Sequence, residues 1–302
     1  MTQLDTRTAF DAYEAVRHRL PAARTGSAPP VHAGSLADIA DRFDVFLLDA
    51  FGVLNIGETA IPGVVERVAD LRAMGKRVLV VSNAAGLPHA VLMAKYARLG
   101  YDFTPDDVVT SRRTLLAALA DAPRRQWGLM ATRSAGLADL ENLNLTYLEE
   151  DPAVYDVVEG FLMVGAAEWG EARQSLLEDA LRKRPRPVWV ANPDIVAPRE
   201  TGFSTEPGHF AHRLADRTGV APAFFGKPFG NIFDLAFARL DGNVARERVL
   251  MVGDSLHTDI LGAQAAGIAS ALIAGYGFFA GHDAAAPIAT SGIVPDFILE
   301  RP

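Results

Sequence analysis

The apolar run Val45-Phe46-Leu47-Leu48 stops at Asp49 and is followed by the turn Ala50-Phe51-Gly52. Four consecutive apolar residues leave no polar face, so a strand here must be covered on both sides, as in the middle of a parallel sheet. A carboxylate at the exit of such a strand stands where open parallel sheets bind their ligands. The segments that follow alternate in character. Residues 63–74 read as helix, 77–81 as strand, 87–99 as helix, 108–109 as a short strand and 111–120 as helix. Towards the other end, 248–252 and 270–273 read as strands on either side of a helix at 259–266. Parallel strands need crossover helices, so the two ends of the chain read as halves of one α/β sheet.

Between these halves, residues 127–131, 157–164 and 188–191 are strand candidates, and 168–184 and 209–218 are helix candidates. They predict a second α/β unit inserted into the first. The expected architecture is a Rossmann-like, doubly wound parallel core with an inserted α/β cap. In residue numbers, the core is 36–123 together with 222–302, and the cap is 124–221. Residues 1–35 form an arm: an amphipathic helix at 7–20, with Phe10, Tyr13, Val16 and Leu20 on one stripe, then a linker rich in Pro, Gly, Ser and Ala.

Composition narrows the partners. A formal charge of −8 over 302 residues argues against a basic face for nucleic acid or for anionic lipid. With no cysteine, disulfides and thiolate metal sites are excluded. No apolar run approaches the ~20 residues of a spanning helix, and the acid-containing start lacks the apolar core of a secretory signal. The expectation is a soluble, cytoplasmic protein that binds neither nucleic acid nor membrane.

Three predicted strand ends carry polar groups. Asp49 suits a nucleophile or a metal ligand, although an aspartate there can also simply start a turn. Ser82-Asn83 precedes a helix, where side chains and free N–H groups cradle anions or cap the helix. Asp254 and Asp259 flank a tight loop after the strand Arg248–Val252, and Mg²⁺ prefers a few carboxylate oxygens, water and a phosphate. Lys227, in Phe225-Gly226-Lys227-Pro228, lies where the insert rejoins the sheet. There it can pair with Asp49 and a phosphate oxygen.

The order Asp49, Ser82, Lys227, Asp254-x₄-Asp259 resembles the four motifs of the haloacid dehalogenase-like superfamily. Ile61-Pro62-Gly63, Ala191-Asn192-Pro193-Asp194, Pro207-Gly208 and Gly226-Lys227-Pro228 resemble its class IIA, NagD-like phosphatase branch. The likeness spans residues 40–302. It implies a C2-type cap and a Mg²⁺-dependent hydrolase acting on a small phosphorylated substrate: a sugar phosphate, nucleotide or aryl phosphate. Asp49 would form an aspartyl-phosphate and Lys227 would offset charge. Ser82, Asn83, Asn192 and Asp194 would bind substrate. Asp49, the backbone carbonyl of Phe51, Asp254 and Asp259 would hold the metal. Caps of this branch also imply a homodimer.

One position departs from that pattern. Phosphatases of the family have a second aspartate two residues after the nucleophile, as general acid and base; here it is Phe51. Losing such a group typically costs about 10²–10⁴-fold. Three readings follow: a phosphatase whose proton donor is His257, Asp194 or His209, or whose esters need little protonation; a weak or inactive protein that binds a phosphorylated ligand; or a 2-haloacid dehalogenase, since those enzymes have an aromatic residue at this place. His209-x-x-His212, Arg112-Arg113 and 182–184 read as solvated helix faces. Phe161, Trp169, Trp189 and Phe203 read as the core of the insert.

Overall fold

The computed structural model describes residues 5–26, 28–199, 202–240, 242 and 244–302. Strands β1 (Val31–Ala33) and β2 (Val45–Leu48) come first. They are followed by a small hairpin of β3 (Asn55–Ile56) and β4 (Thr59–Ala60), then β5 (Arg77–Ser82) and β6 (Val108–Thr110). The chain leaves for β7 (Gln126–Met130), β8 (Asn144–Tyr147), β9 (Gly160–Met163) and β10 (Val188–Val190), a hairpin of β11 (Val196–Pro198) and β12 (Phe203–Thr205), and β13 (Ala223–Phe224). It returns for β14 (Val249–Gly253), β15 (Ala269–Ile273) and β16 (Phe297–Leu299).

Two parallel sheets result. The core sheet has the order β1-β16-β15-β14-β2-β5-β6, and the inserted sheet the order β13-β10-β9-β7-β8. This is the α/β core with an inserted α/β sheet that the alternation of patterns predicts. β2 is buried along its whole length and lies between β14 and β5. Its register pairs Leu48 with Val252 and with Val80, so the chain exits from three neighbouring strands at one level. The Asp49 N–H continues the ladder by donating to the Val252 carbonyl at 2.9 Å.

Several elements depart from the sequence reading. β16 and β1 extend the core sheet, although neither was expected. β1 is largely exposed and carries no periodic signal; only its pairing with β16 makes it a strand. The strand expected from residue 157 starts at Gly160, because Asp151 caps a helix, Pro152–Val157, by accepting from the Ala153 N–H. β13 pairs with β10, so the inserted sheet runs past residue 221. We therefore propose a cap unit that ends after Phe224.

The arm is not a free linker. Helix α1 (Thr6–Ala15) buries Ala9, Phe10 and Tyr13 against Ile195, Val196, Leu256 and Phe278. The rest of the arm is tied to the core through Arg24–Asp296 at 2.6 Å and through β1. Residues 1–4 and 27 of the arm lie outside the described residues. Two surface readings are also corrected. Arg112 is buried and donates to the carbonyls of Ala85 and Ala138, and His212 is buried with its ring stacked on Phe224. Phe203 packs edge-on against Phe278 of the core, outside the cap's own apolar cluster. Among the described residues no helix is long and apolar enough to cross a membrane.

Phe10 is 7% exposed. Phe10→Ala should therefore lower the unfolding free energy by about 3 kcal/mol, read from the urea midpoint. An unchanged midpoint would show that α1 is not docked in solution.

Candidate active site

Parallel strands deliver their carboxyl ends to one edge of the sheet. Asp49 leaves β2, Ser82 ends β5 and Asp254 follows β14. After Asp254 a wide helical turn, Leu256–Ile260, swings Asp259 back beneath the strand end. There its Oδ2 accepts from the Ser255 N–H at 3.1 Å. Asp49, Asp254 and Asp259 each offer a carboxylate oxygen within 4.8 Å of the others. Gly52 and Gly277, both at positive φ, border Asp254 so closely that a Cβ at either would collide with its carboxylate. The Phe278 N–H donates to Asp254 Oδ2 at 2.8 Å.

Lys227 lies 1% exposed beneath this cluster. Its Nζ is 2.6 Å from Asp49 Oδ1 and 2.6 Å from Asp259 Oδ1. Burial opposes its charge, but Asp259 and Asp49 more than offset that and hold the ammonium well above its ordinary range. Burial raises the Asp49 carboxyl to about 6; Lys227 works against the rise and Asp259 adds to it. Burial, then Asp259 and Asp49, push the Asp254 carboxyl well above the usual carboxylate range. Three carboxylates face one ammonium, so the fully ionised cluster carries two uncompensated negative charges. That excess, on an all-oxygen donor set, fits a hard divalent cation.

Asn83 ties the end of β5 to Lys227 and to Asp194. Its Oδ1 accepts from the Lys227 N–H at 2.7 Å and from the Ser111 hydroxyl at 2.9 Å. Its Nδ2 donates to the Lys227 carbonyl at 2.9 Å and to Asp194 Oδ1 at 2.7 Å. Asn192 turns the chain by accepting from the Asp194 N–H at 3.0 Å, and its Nδ2 donates to Glu206 at 3.2 Å. Asn83, Lys227, Asn192, Asp194 and Glu206 border a cavity of about 530 Å³ at the mouth of the core sheet. Asp49, Phe51, Ser82, Asn83, Lys227 and Asp254 face it from the core, and Asn192 and Asp194 from the cap segment between β10 and β11. Of the metal, nucleophile and substrate residues picked from the sequence, Asp259 is absent from its wall because it lies beneath the others, and the candidate proton donors His257 and His209 are absent too.

Sequence reasoning missed four neighbours. Ser111 opens a helix directly after β6, a fourth strand end with a hydroxyl, so a signal was present. Glu206 lies behind Asn192 and is paired with Arg199 at 2.6 Å. Tyr96 borders the cavity with a buried hydroxyl that has no hydrogen-bond partner among the described residues. Tyr13 reaches the cavity from the arm, on a stripe that looks like any amphipathic helix. Neither tyrosine had a local signal.

Comparison with known proteins fits this geometry. Residues 46–145 match the family described as haloacid dehalogenase-like hydrolase, and 224–300 match a second, HAD-hydrolase-like family. The chain belongs to the haloacid dehalogenase-like hydrolase superfamily. Its inserted sheet and its relatives place it in class IIA, the NagD-like phosphatase branch. It is 32% identical to the D-glycerol 3-phosphate phosphatase of Mycobacterium tuberculosis over 79% of this chain, and it spans 65% of that protein's length. A structure of the glycerol phosphate phosphatase from that organism with magnesium superimposes with a TM-score of 0.63 at 27% identity, covering 78% of this chain and 68% of the other. A Cytophaga hutchinsonii structure described as a possible sugar phosphatase reaches 0.78 at 26% identity, covering 88% and 96%.

Replacing Lys227 would leave Asp49 and Asp259 buried without their cation. In chelator, Lys227→Met should lower the unfolding free energy by about 3–5 kcal/mol, measured by denaturant titration. A midpoint equal to wild type would mean that the cluster is not held as an ion pair.

Proposed function

We propose that the protein is a Mg²⁺-dependent phosphatase of small phosphomonoesters that works through an aspartyl-phosphate on Asp49. The observation that carries this reading is the buried bridge from Lys227 to Asp49 and Asp259, with Asp254 alongside, at the floor of a cavity of small-molecule size. Relatives named as glycerol phosphate and acid sugar phosphatases support the substrate class.

In this reading Asp49 Oδ attacks phosphorus while Lys227 offsets negative charge on the nucleophile and the phosphoryl oxygens. Ser82 and the backbone N–H groups after β5 hold the phosphoryl group, and Asn83 keeps Lys227 in register with Asp49. Phosphoryl transfer depends mainly on such positioning and charge neutralisation. Asp49, Asp254, Asp259 and the Phe51 carbonyl would hold Mg²⁺, which supplies charge neutralisation at the transferring phosphate. The cap-side walls, from Asn192 to Glu206, select the rest of the ester. A homodimer through the cap remains part of the proposal, on the family resemblance.

Phe51 favours a second reading, a phospho-ligand binder with little turnover, because its ring can neither give nor take a proton. Phosphate release from a panel of phosphomonoesters separates the two. The phosphatase reading expects Mg²⁺-dependent release by wild type that disappears in Asp49→Asn. Release seen only after Phe51→Asp would favour the binder, and metal-free chloride release from a 2-haloacid would overturn both.

Metal binding has its own readout. Mg²⁺ at about a hundred times its dissociation constant should stabilise the fold by about 2.7 kcal/mol, and Asp254→Asn should abolish that gain in a thermal melt. Equal gains in both proteins would count against the site.

A further inference from the structure

Phe51 leaves the site without the acid expected two residues after Asp49, so the candidates for that role can be compared in place. His257 is buried under α1: its Nε2 meets Glu14 Oε1 at 2.6 Å and its ring stacks on Tyr13 at 5.1 Å. It is not part of the cavity wall. His209 lies on the cap helix Pro207–Thr218, edge-on to Phe210, and also faces away from the cavity. Glu206 borders the cavity but is committed to Arg199 and Ser204, at 2.6 and 2.5 Å. The Tyr96 hydroxyl is in the wall but holds its proton tightly, because burial, and then Asp49, disfavour the phenolate.

Asp194 is different. It borders the same cavity as Asp49, and Asn83 anchors its Oδ1 at 2.7 Å. Among the described residues, no hydrogen bond occupies its Oδ2. Its backbone is pinned on both sides: the N–H donates to Asn192 Oδ1 at 3.0 Å, and the carbonyl accepts from the Gly208 N–H at 2.9 Å. The bracket of Asn83, which also binds both backbone groups of Lys227, sets this carboxyl in register with the charge cluster. The groups around it are Lys227, Glu206, Asp49 and Tyr13.

We propose that Asp194, supplied by the cap segment between β10 and β11, is the acid–base group of this site. The proposal rests on the phosphatase reading above. In the first step an Asp49 oxygen bonds to phosphorus and the ester P–O bond breaks. The leaving oxygen keeps the bonding pair and takes the Asp194 proton, which yields the free alcohol. In the second step water attacks the aspartyl-phosphate and gives a proton to the Asp194 carboxylate. The Asp49–phosphorus bond breaks with its pair returning to Asp49, so inorganic phosphate leaves and Asp194 is protonated again. A carboxyl that does both jobs must hold and lose its proton near neutrality. Burial, chiefly, pushes Asp194 up to about 7; Asn83 and Lys227 oppose the rise, and Glu206 and Asp49 add to it.

The test compares esters that differ in their need for a proton. Wild type, Asp194→Asn and Tyr96→Phe are assayed with Mg²⁺ on glycerol phosphate, whose alkoxide must be protonated, and on 2,4-dinitrophenyl phosphate, whose phenolate leaves unaided. The asparagine can keep the bond from Asn83, so the pocket should survive; stopped-flow release of dinitrophenolate checks this. Asp194→Asn should lose about 10²–10⁴-fold in turnover of the alkyl ester. It should keep a burst of wild-type rate and one equivalent of dinitrophenolate, followed by slowed turnover. Unchanged alkyl turnover in Asp194→Asn, an equal loss of its burst, or the selective loss appearing in Tyr96→Phe instead would each overturn the assignment and leave the phosphatase reading standing. A wild type that releases no dinitrophenolate with Mg²⁺ overturns that reading, and the proton role with it.

Discussion

The site depends on one buried ammonium. Lys227 Nζ touches carboxylates that arrive from two different strands, Asp49 at the end of β2 and Asp259 after β14. Without that cation, three carboxyls so close together would face one another with no opposite charge among them, a costly arrangement for buried groups. The same lysine lies just beyond β13, where the chain re-enters the core from the inserted sheet. Charge balance at the floor of the site therefore ties the return of the cap to the core.

Asn83 carries this coupling into the backbone. By accepting from the Lys227 N–H and donating to its carbonyl, it fixes the crossing of the two segments with both of its polar ends. Its remaining donor holds Asp194, from the other end of the cap hairpin region. One amide thus registers both the Lys227 ammonium and the Asp194 carboxyl against Asp49. Helix α1 adds a third restraint. The Tyr13 hydroxyl donates to the Val196 carbonyl at 3.1 Å and accepts from the Ile195 N–H at 3.2 Å, next to Asp194, while its ring covers His257. A segment outside the family likeness helps to shape a wall of the site.

Substitution at position 51 separates two tasks that a phosphatase of this family combines in one short turn. In the proposed reading, charge neutralisation and the nucleophile stay on the core strands, and only the backbone of residue 51 would be needed for the metal. Proton transfer has to come from elsewhere, and the structure offers a carboxyl on the cap side. Such a division would make proton delivery depend on the placement of the cap over the core, which closure of a site can exploit to exclude water.

The arrangement of β2, β5 and β14 was legible in the sequence because strands covered on both faces must be apolar throughout, and a carboxylate or hydroxyl at the end of each stands out. The helices between them were legible through their periodicity, as 111–120 illustrates; the helix runs from Ser111 to Ala120. β1, β8 and β13 were not, because short strands at the edges of sheets take their conformation from a partner and need no pattern of their own. Arg112 and His212 misled for a related reason: residue type predicts solvent, but a buried arginine is acceptable when carbonyls receive its donors. Sequence alone determined the class of fold, the inserted unit and the set of acids, lysine and amide at strand exits, since each of these is a local property. Tertiary structure alone decided that Asp194 shares a cavity with Asp49 while His257 does not, and that Tyr13 belongs to the wall. Those facts depend on how segments more than a hundred residues apart pack together, and no local pattern encodes that.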